Sequence, residues 1–80
     1  MMPTETLYEG PAHGAKFDIL SAGTARFNFS DPRASGYIRF RDQALARVQQ
    51  GTQLVLSAGQ HVLTLYDPKL TRVSILFQAE

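Results

Sequence analysis

The 80-residue chain contains no cysteine, which excludes disulfide bonds and thiolate zinc sites. Its two histidines, His13 and His61, are too few for a histidine-built metal site, and no cofactor motif is present, so we expect neither a metal nor a cofactor. A domain this short buries a small share of its unfolded surface, and disulfides, metals or association commonly supply the missing stability. With the first two absent, we expect association with a partner or with a second copy.

Long apolar runs are also missing. No segment approaches the length needed to span a membrane, and Met1–Thr6 has neither a basic n-region nor an apolar h-region. These features lead us to expect a cytoplasmic protein that does not bind membranes.

Signatures of catalysis are absent as well. The glycines lie singly in turns, so no glycine-rich loop could cradle a phosphate, and no carboxylate pair has a spacing that demands acid–base chemistry. Ser21, Ser57, His61 and Asp67 have the residue types of a nucleophilic triad, but turns and a strand face already account for them. Asp31, like Asp67, precedes a proline in a turn. We expect no catalytic residues and no enzyme activity.

What the chain does have is apolar–polar alternation, which predicts a mainly β domain of the α+β class. We expect an irregular segment over residues 1–14, with Leu7 and Tyr8 as the one short edge strand it could add, and a single β-rich domain over 15–80. The predicted inward faces hold Phe27, Phe29, Ile38, Phe40, Leu54, Leu56, Leu63, Leu65, Val73, Ile75 and Phe77.

The period changes after residue 41. Asp42 suits an N-cap and Gly51 the C′ position, while Ala44, Leu45 and Val48 fall on one helical face. These features predict a two-turn linker helix over residues 42–50.

Two segments of the chain, 16–41 and 52–78, resemble each other at an offset of 36 residues. Leu20–Gly23 recurs as Leu56–Gly59, and the turn that starts at Asp31 recurs at Asp67. The repeat predicts two duplicated three-strand antiparallel meanders that form a small barrel or sandwich. Within the second copy, Leu54–Leu63 resembles the glycine-turn hairpins of cupin-like barrels, but the multi-histidine metal motif of cupins is missing.

Positive charge is concentrated in residues 21–47, which hold five arginines against two aspartates, although the net charge of the chain is only +1. We expect a basic patch that binds an anionic partner, because guanidinium groups pair with carboxylates and phosphates. A solvated strand face is the other interpretation of this pattern. The predicted patch consists of Arg26, Tyr37, Arg39, Arg41 and Arg47.

The second copy carries apolar residues where the first is polar. Val62, Tyr66 and Leu76 form a candidate surface for self-association into a homodimer. Coverage by another part of the same chain would explain these residues equally well.

The sequence therefore favours a non-catalytic protein-binding module, an inhibitor or regulator that occupies an acidic surface of a larger protein. Phage- and plasmid-encoded inhibitors such as anti-CRISPR proteins belong to this size class. The alternative is a small nucleic-acid-binding protein that uses its Arg/Tyr strand face. Against that alternative, the sequence pI of about 8.2 is below that of strongly basic nucleic-acid-binding domains. An enzyme is the third hypothesis.

Overall fold

The computed structural model describes residues 3–80, so Met1 and Met2 of the predicted irregular segment lie outside the described residues. Eight strands form this part of the chain, and no helix occurs in it. The strands are β1 (Glu5–Pro11), β2 (Lys16–Ile19), β3 (Gly23–Phe29), β4 (Ser35–Arg39), β5 (Ala46–Gln49), β6 (Gln53–Leu56), β7 (Gly59–Leu65) and β8 (Arg72–Ala79).

The eight strands form two antiparallel four-stranded sheets that enclose one core. Sheet A has the order β1-β8-β3-β6 and sheet B the order β2-β7-β4-β5. Consecutive strands lie in opposite sheets, except β4 and β5, which pair directly. This is the strand order of an eight-stranded jelly roll. The mainly β prediction is confirmed, and the arrangement is a sandwich of two sheets rather than a closed barrel.

The predicted three-strand meanders are wrong, because the short connections within each half cross from one sheet to the other. The repeated Leu-Ser-Ala-Gly segments are these crossings: residues 20–22 connect β2 to β3, and residues 57–58 connect β6 to β7. Neither pair of strands forms a hairpin, so the cupin-like hairpin is wrong for the same reason. The strands instead pair with strands of the other half.

The repeat nevertheless matches the topology. The strands β1–β4 of the first half correspond to β5–β8 of the second half. When each strand is replaced by its counterpart, the sheet A order β1-β8-β3-β6 becomes β5-β4-β7-β2, which is sheet B read from its other edge. Each half therefore contributes two strands to each sheet, and equivalent strands have equivalent neighbours.

The linker helix predicted over residues 42–50 is replaced by a loop and by strand β5. Val48 is fully buried on the inner side of β5, while Leu45, which a docked helix would have buried, is 49% exposed. β5 pairs with β4 through four residues, from Ser35↔Gln49 to Ile38↔Ala46. A two-turn helix is marginal alone, whereas strand pairing satisfies this backbone and still buries Val48.

Residues 5–11 of the segment predicted to be irregular form β1, the longest of the four edge strands. β1 pairs antiparallel with β8 from Glu5↔Phe77 to Pro11↔Arg72, with a register shift at Leu7. The segment that follows β1 is held in place by hydrogen bonds from Ala12 N to Thr71 O at 2.8 Å and from Gly14 N to Leu63 O at 2.8 Å. The prediction failed because alternation in this segment is broken by the bulge.

The predicted core is confirmed. All of the predicted inward residues are buried except Leu54, which is half-buried and packs against the core. Phe27, Leu63 and Ile75 are completely enclosed. Phe17, Ile19 and Val48 complete the inner face of sheet B.

Candidate partner-binding surface

The outer face of sheet B carries most of the predicted basic patch. Alternation along β2, β4 and β5 buries Phe17, Ile38 and Val48 and turns the residues beside them outward. The pairing register places Lys16, Val62 and Arg39 in one cross-strand row, and Thr64, Tyr37 and Arg47 in the next. We call Lys16, Tyr37, Arg39, Arg47 and Tyr66 the basic face.

Two tyrosines form the aromatic part of the basic face. The ring centroids of Tyr37 and Tyr66 are 5.6 Å apart, with the planes tilted by 50°. The guanidinium carbon of Arg47 lies 5.9 Å from the centroid of Tyr66, within the range of a cation–π interaction. Tyr66 is 59% exposed, so its ring can also contact a partner.

The cations of the basic face are not neutralised by their own chain. Within residues 3–80, salt bridges occur at Arg33–Asp31 and Lys69–Asp67, and neither involves Lys16, Arg39 or Arg47. Asp18 is the acidic residue on the outer side of β2, where it lies opposite Gln60. Sheet B therefore presents three cations and one carboxylate on its outer side.

The two Asp-Pro turns lie side by side at one end of this face. Together they line a pocket of about 220 Å³ that includes Asp31, Arg33, Tyr66 and Lys69. The Arg33 backbone N–H donates to Asp31 Oδ1 at 2.9 Å, and this bond, with smaller contributions from the Arg33 and Lys69 charges, lowers the pKa of the Asp31 carboxyl. Next to it, Arg33 and Arg47 line a polar concavity of about 420 Å³.

Two arginines of the predicted patch lie elsewhere. Arg26 is on β3 and faces outward from sheet A, opposite Leu76 on β8, so it cannot approach Arg39. The prediction of one shared face assumed that β3 and β4 are neighbours, but the turn between them crosses to the other sheet. Arg41 has a left-handed backbone (φ 51°), and its guanidinium carbon lies 4.9 Å from the centroid of the Phe40 ring.

The predicted self-association surface is also divided between the sheets. Val62 and Tyr66 lie on the outer side of sheet B, whereas Leu76 is on the outer side of sheet A. Val62 is flanked by Lys16 and Arg39, so it belongs to the same surface as the basic face. The three residues do not form one apolar patch.

His61 is a core residue, as expected for a histidine in a sheet. Its ring lies between Phe17 of β2 and Phe40, the residue after β4, at centroid distances of 5.7 and 4.3 Å and nearly parallel to both. Nε2 is 2.8 Å from the Ser57 carbonyl oxygen, to which it donates, and the buried Nδ1 has no partner in the described part of the chain. His13, predicted to be a loop residue, accepts a hydrogen bond from Leu65 N at 3.1 Å through Nδ1.

Lys16 is the cation of the basic face that sequence reasoning left out of the patch, and Arg33, which lines the neighbouring concavity, was also left out. The alternation along Lys16–Ile19 did place Lys16 on an outward face, but not beside Arg39, because the order of the strands was unknown. Arg33 lies in a turn, where period-two alternation gives no information.

Among residues 3–80, no group of three or more histidine or acidic side chains is placed to hold a metal ion. Nothing helical in that range has the length and apolar character needed to cross a membrane. No protein family, curated protein or solved structure matches the chain. The assignment of function therefore depends on the surface itself.

Proposed function

We propose that this chain is a non-catalytic binding module that inhibits or regulates a larger protein by covering an acidic surface of it with the basic face. The observation that carries the proposal is that Lys16, Arg39 and Arg47 share one side of sheet B and form no ion pair within residues 3–80. Carboxylates of a partner would complete these pairs.

The rigidity of the surface supports this proposal. β4 lies between β7 and β5, so Tyr37 and Arg39 are held on a paired strand rather than on a loop. Tyr37 and Tyr66 add contact area at low entropic cost, and tyrosine and arginine are the residues that most often dominate the energy of protein interfaces.

A single-stranded nucleic acid is the second candidate ligand. The exposed ring of Tyr66 beside Tyr37 and Arg47 has the chemistry for base stacking combined with phosphate contacts. The small excess of positive charge weighs against it, because nucleic-acid binding draws its affinity largely from phosphate neutralisation.

The test is the double charge reversal Arg39→Glu/Arg47→Glu. Its matched control is Arg26→Glu/Arg72→Glu, which makes the same change in net charge on exposed positions of sheet A. Binding to poly-glutamate and to a single-stranded oligonucleotide is measured by titration, and recovery of partners from a native lysate is measured with and without nuclease treatment.

We expect the basic-face variant to lose binding to poly-glutamate and to the nuclease-resistant lysate protein, while the control retains both. Equal losses in the two variants would indicate attraction to net charge alone and would contradict the proposal. Stronger binding to the oligonucleotide, together with nuclease-sensitive recovery, would favour the second candidate.

A further inference from the structure

The sandwich has four edge strands, and three of them carry a feature that discourages the addition of another strand. β1 contains a bulge and ends in Pro11, β2 carries Lys16 and Asp18, and β5 carries Arg47. Bulges, prolines and charges are the means by which proteins protect free edges. β6, with the sequence Gln53–Leu56, has no charge, no proline and no register shift.

The free hydrogen-bonding groups of β6 include those of Val55. Phe27 exchanges main-chain hydrogen bonds of 3.0 and 2.8 Å with the residues just before β6, so it directs its backbone toward β6. Alternation along β3 directs Ala25 the same way, and its partner Leu54 therefore bonds to β3. Val55, one residue on, directs its N–H and C=O to the open edge.

The side chains at this edge are also uncovered. Val55 is 70% exposed, and Leu45, in the loop before β5, is 49% exposed. A groove of about 110 Å³ lies between β6 and this loop, and it is bordered by Leu54, Leu56 and Ala44. No Asp, Glu, Lys or Arg lines it, so it offers no ion pair to a charged occupant.

We propose that β6 pairs antiparallel with β6 of a second copy of this chain, about a two-fold axis that passes between the two Val55 residues. An axis perpendicular to the sheet keeps inner faces together, so residues that pair must lie on the same face. Of the registers that satisfy this rule, the proposed one places Val55, whose N–H and C=O point to the open edge, opposite Val55 of the second copy and Leu54 opposite Leu56. The two Val55 residues exchange a pair of N–H···O=C bonds.

The chemistry of the strand favours a second copy as the occupant. β6 is uncharged, so two copies bring no like charges together, and its leucines supply the apolar side chains that the groove accepts. Self-pairing of β2 or β5 would instead bring lysines or arginines of the two copies close to each other. Since one four-residue strand makes a small interface, we expect a dissociation constant above about 1 µM.

The absence of cysteine makes the register directly testable. In the variant Val55→Cys, the two thiols of the dimer would lie opposite each other, at the Cα separation of about 5.5 Å that disulfides favour. The control is Leu70→Cys in the β7–β8 turn, which is completely exposed and more accessible to random collision. We expect oxidation to cross-link Val55→Cys quickly and Leu70→Cys slowly. Equal or reversed rates would overturn the proposal.

Sedimentation equilibrium tests the association without cysteine. Val55→Lys places two lysines opposite each other on the axis, and we expect it to weaken dimerisation by at least about tenfold. Asn28→Lys adds the same charge to the outer side of sheet A on the central strand β3 and should leave dimerisation unchanged. A parent chain that remains monomeric at ~1 mM, or an equal effect of both lysines, would contradict self-pairing.

Discussion

The two core phenylalanines Phe27 and Phe40 should respond differently to truncation, although sequence analysis treats them alike. Phe27 is 0% exposed in the middle of β3, enclosed by both sheets. Phe40 is 7% exposed and borders the 110 Å³ groove beside β6. Replacing a buried phenylalanine with alanine costs about 3–5 kcal/mol, and the cost is larger where the cavity cannot collapse or fill with water.

Phe27→Ala leaves a closed apolar cavity, so we expect a cost near the upper limit, about 5 kcal/mol. Phe40→Ala joins its cavity to the groove, and water that enters can donate to Nδ1 of His61, which lacks a partner within residues 3–80. Satisfying a buried acceptor returns about 1–3 kcal/mol. We therefore expect Phe40→Ala to be less costly than Phe27→Ala by at least about 1 kcal/mol.

Urea unfolding followed by circular dichroism measures both costs. A domain of this length has a total stability of about 4–12 kcal/mol, so Phe27→Ala brings it close to unfolding without denaturant. The pair Phe27→Leu and Phe40→Leu, with smaller effects, keeps the comparison measurable in that case. If Phe40→Ala costs as much as Phe27→Ala, or more, the assignment of an open cavity at Phe40 is wrong.

Three further outcomes are expected. Gly36→Ala should lower the free energy of unfolding in urea by more than about 3 kcal/mol, because its Cβ would overlap the Thr64 carbonyl oxygen of the paired strand. Gly14→Ala has open space around its Cβ but a φ of +78°, so it should lower that free energy by only about 1–2 kcal/mol. Similar losses in the two variants would contradict this reasoning. The lowered pKa of Asp31 adds stability above its unfolded value of 3.8 that is lost as pH falls through the folded value, so the Tm difference between the parent and Asp31→Asn should shrink below about pH 4 and not above it. Arg39→Glu/Arg47→Glu should leave the Tm within a few degrees of the parent, since both residues are exposed and make no salt bridge; a large drop would mean that the basic face is structural.

Sequence alternation was sufficient to predict the strand faces, because burial of one side of a strand leaves a local signature. Phe27, Ile38, Leu63 and Ile75 face inward as their phase indicated. The sequence carries no such local signature of which sheet a strand joins. Leu20–Gly23 and the turn that starts at Asp31 both read as tight turns, yet the chain uses each of them to cross between sheets. The second crossing, between β3 and β4, moved Arg26 away from Arg39.

The segment 42–50 failed for a related reason. Ala44, Leu45 and Val48 share one helical face, but of the three only Val48 lies on β5. That strand forms because the free edge of β4 offers backbone hydrogen bonds, which outweigh the local preference for a helix. The sequence accordingly predicted a surface of arginine and tyrosine, but not which residues share it. Strand order added Lys16 and removed Arg26, whereas Arg41 left the face because it follows β4 with a left-handed backbone.

The interleaving of the two halves determines when the fold can form. β1 pairs only with β8, so the seven residues of the first strand have no sheet partner until residues 72–79 have been synthesised. Such distant pairings bear the entropy of closing long loops before any contact compensates for it, which slows folding to the millisecond-to-second range typical of β-sandwiches. During translation, the nascent chain therefore exposes an unpaired strand until β8 has been made. The two glutamates of β1 reduce its tendency to aggregate in that interval.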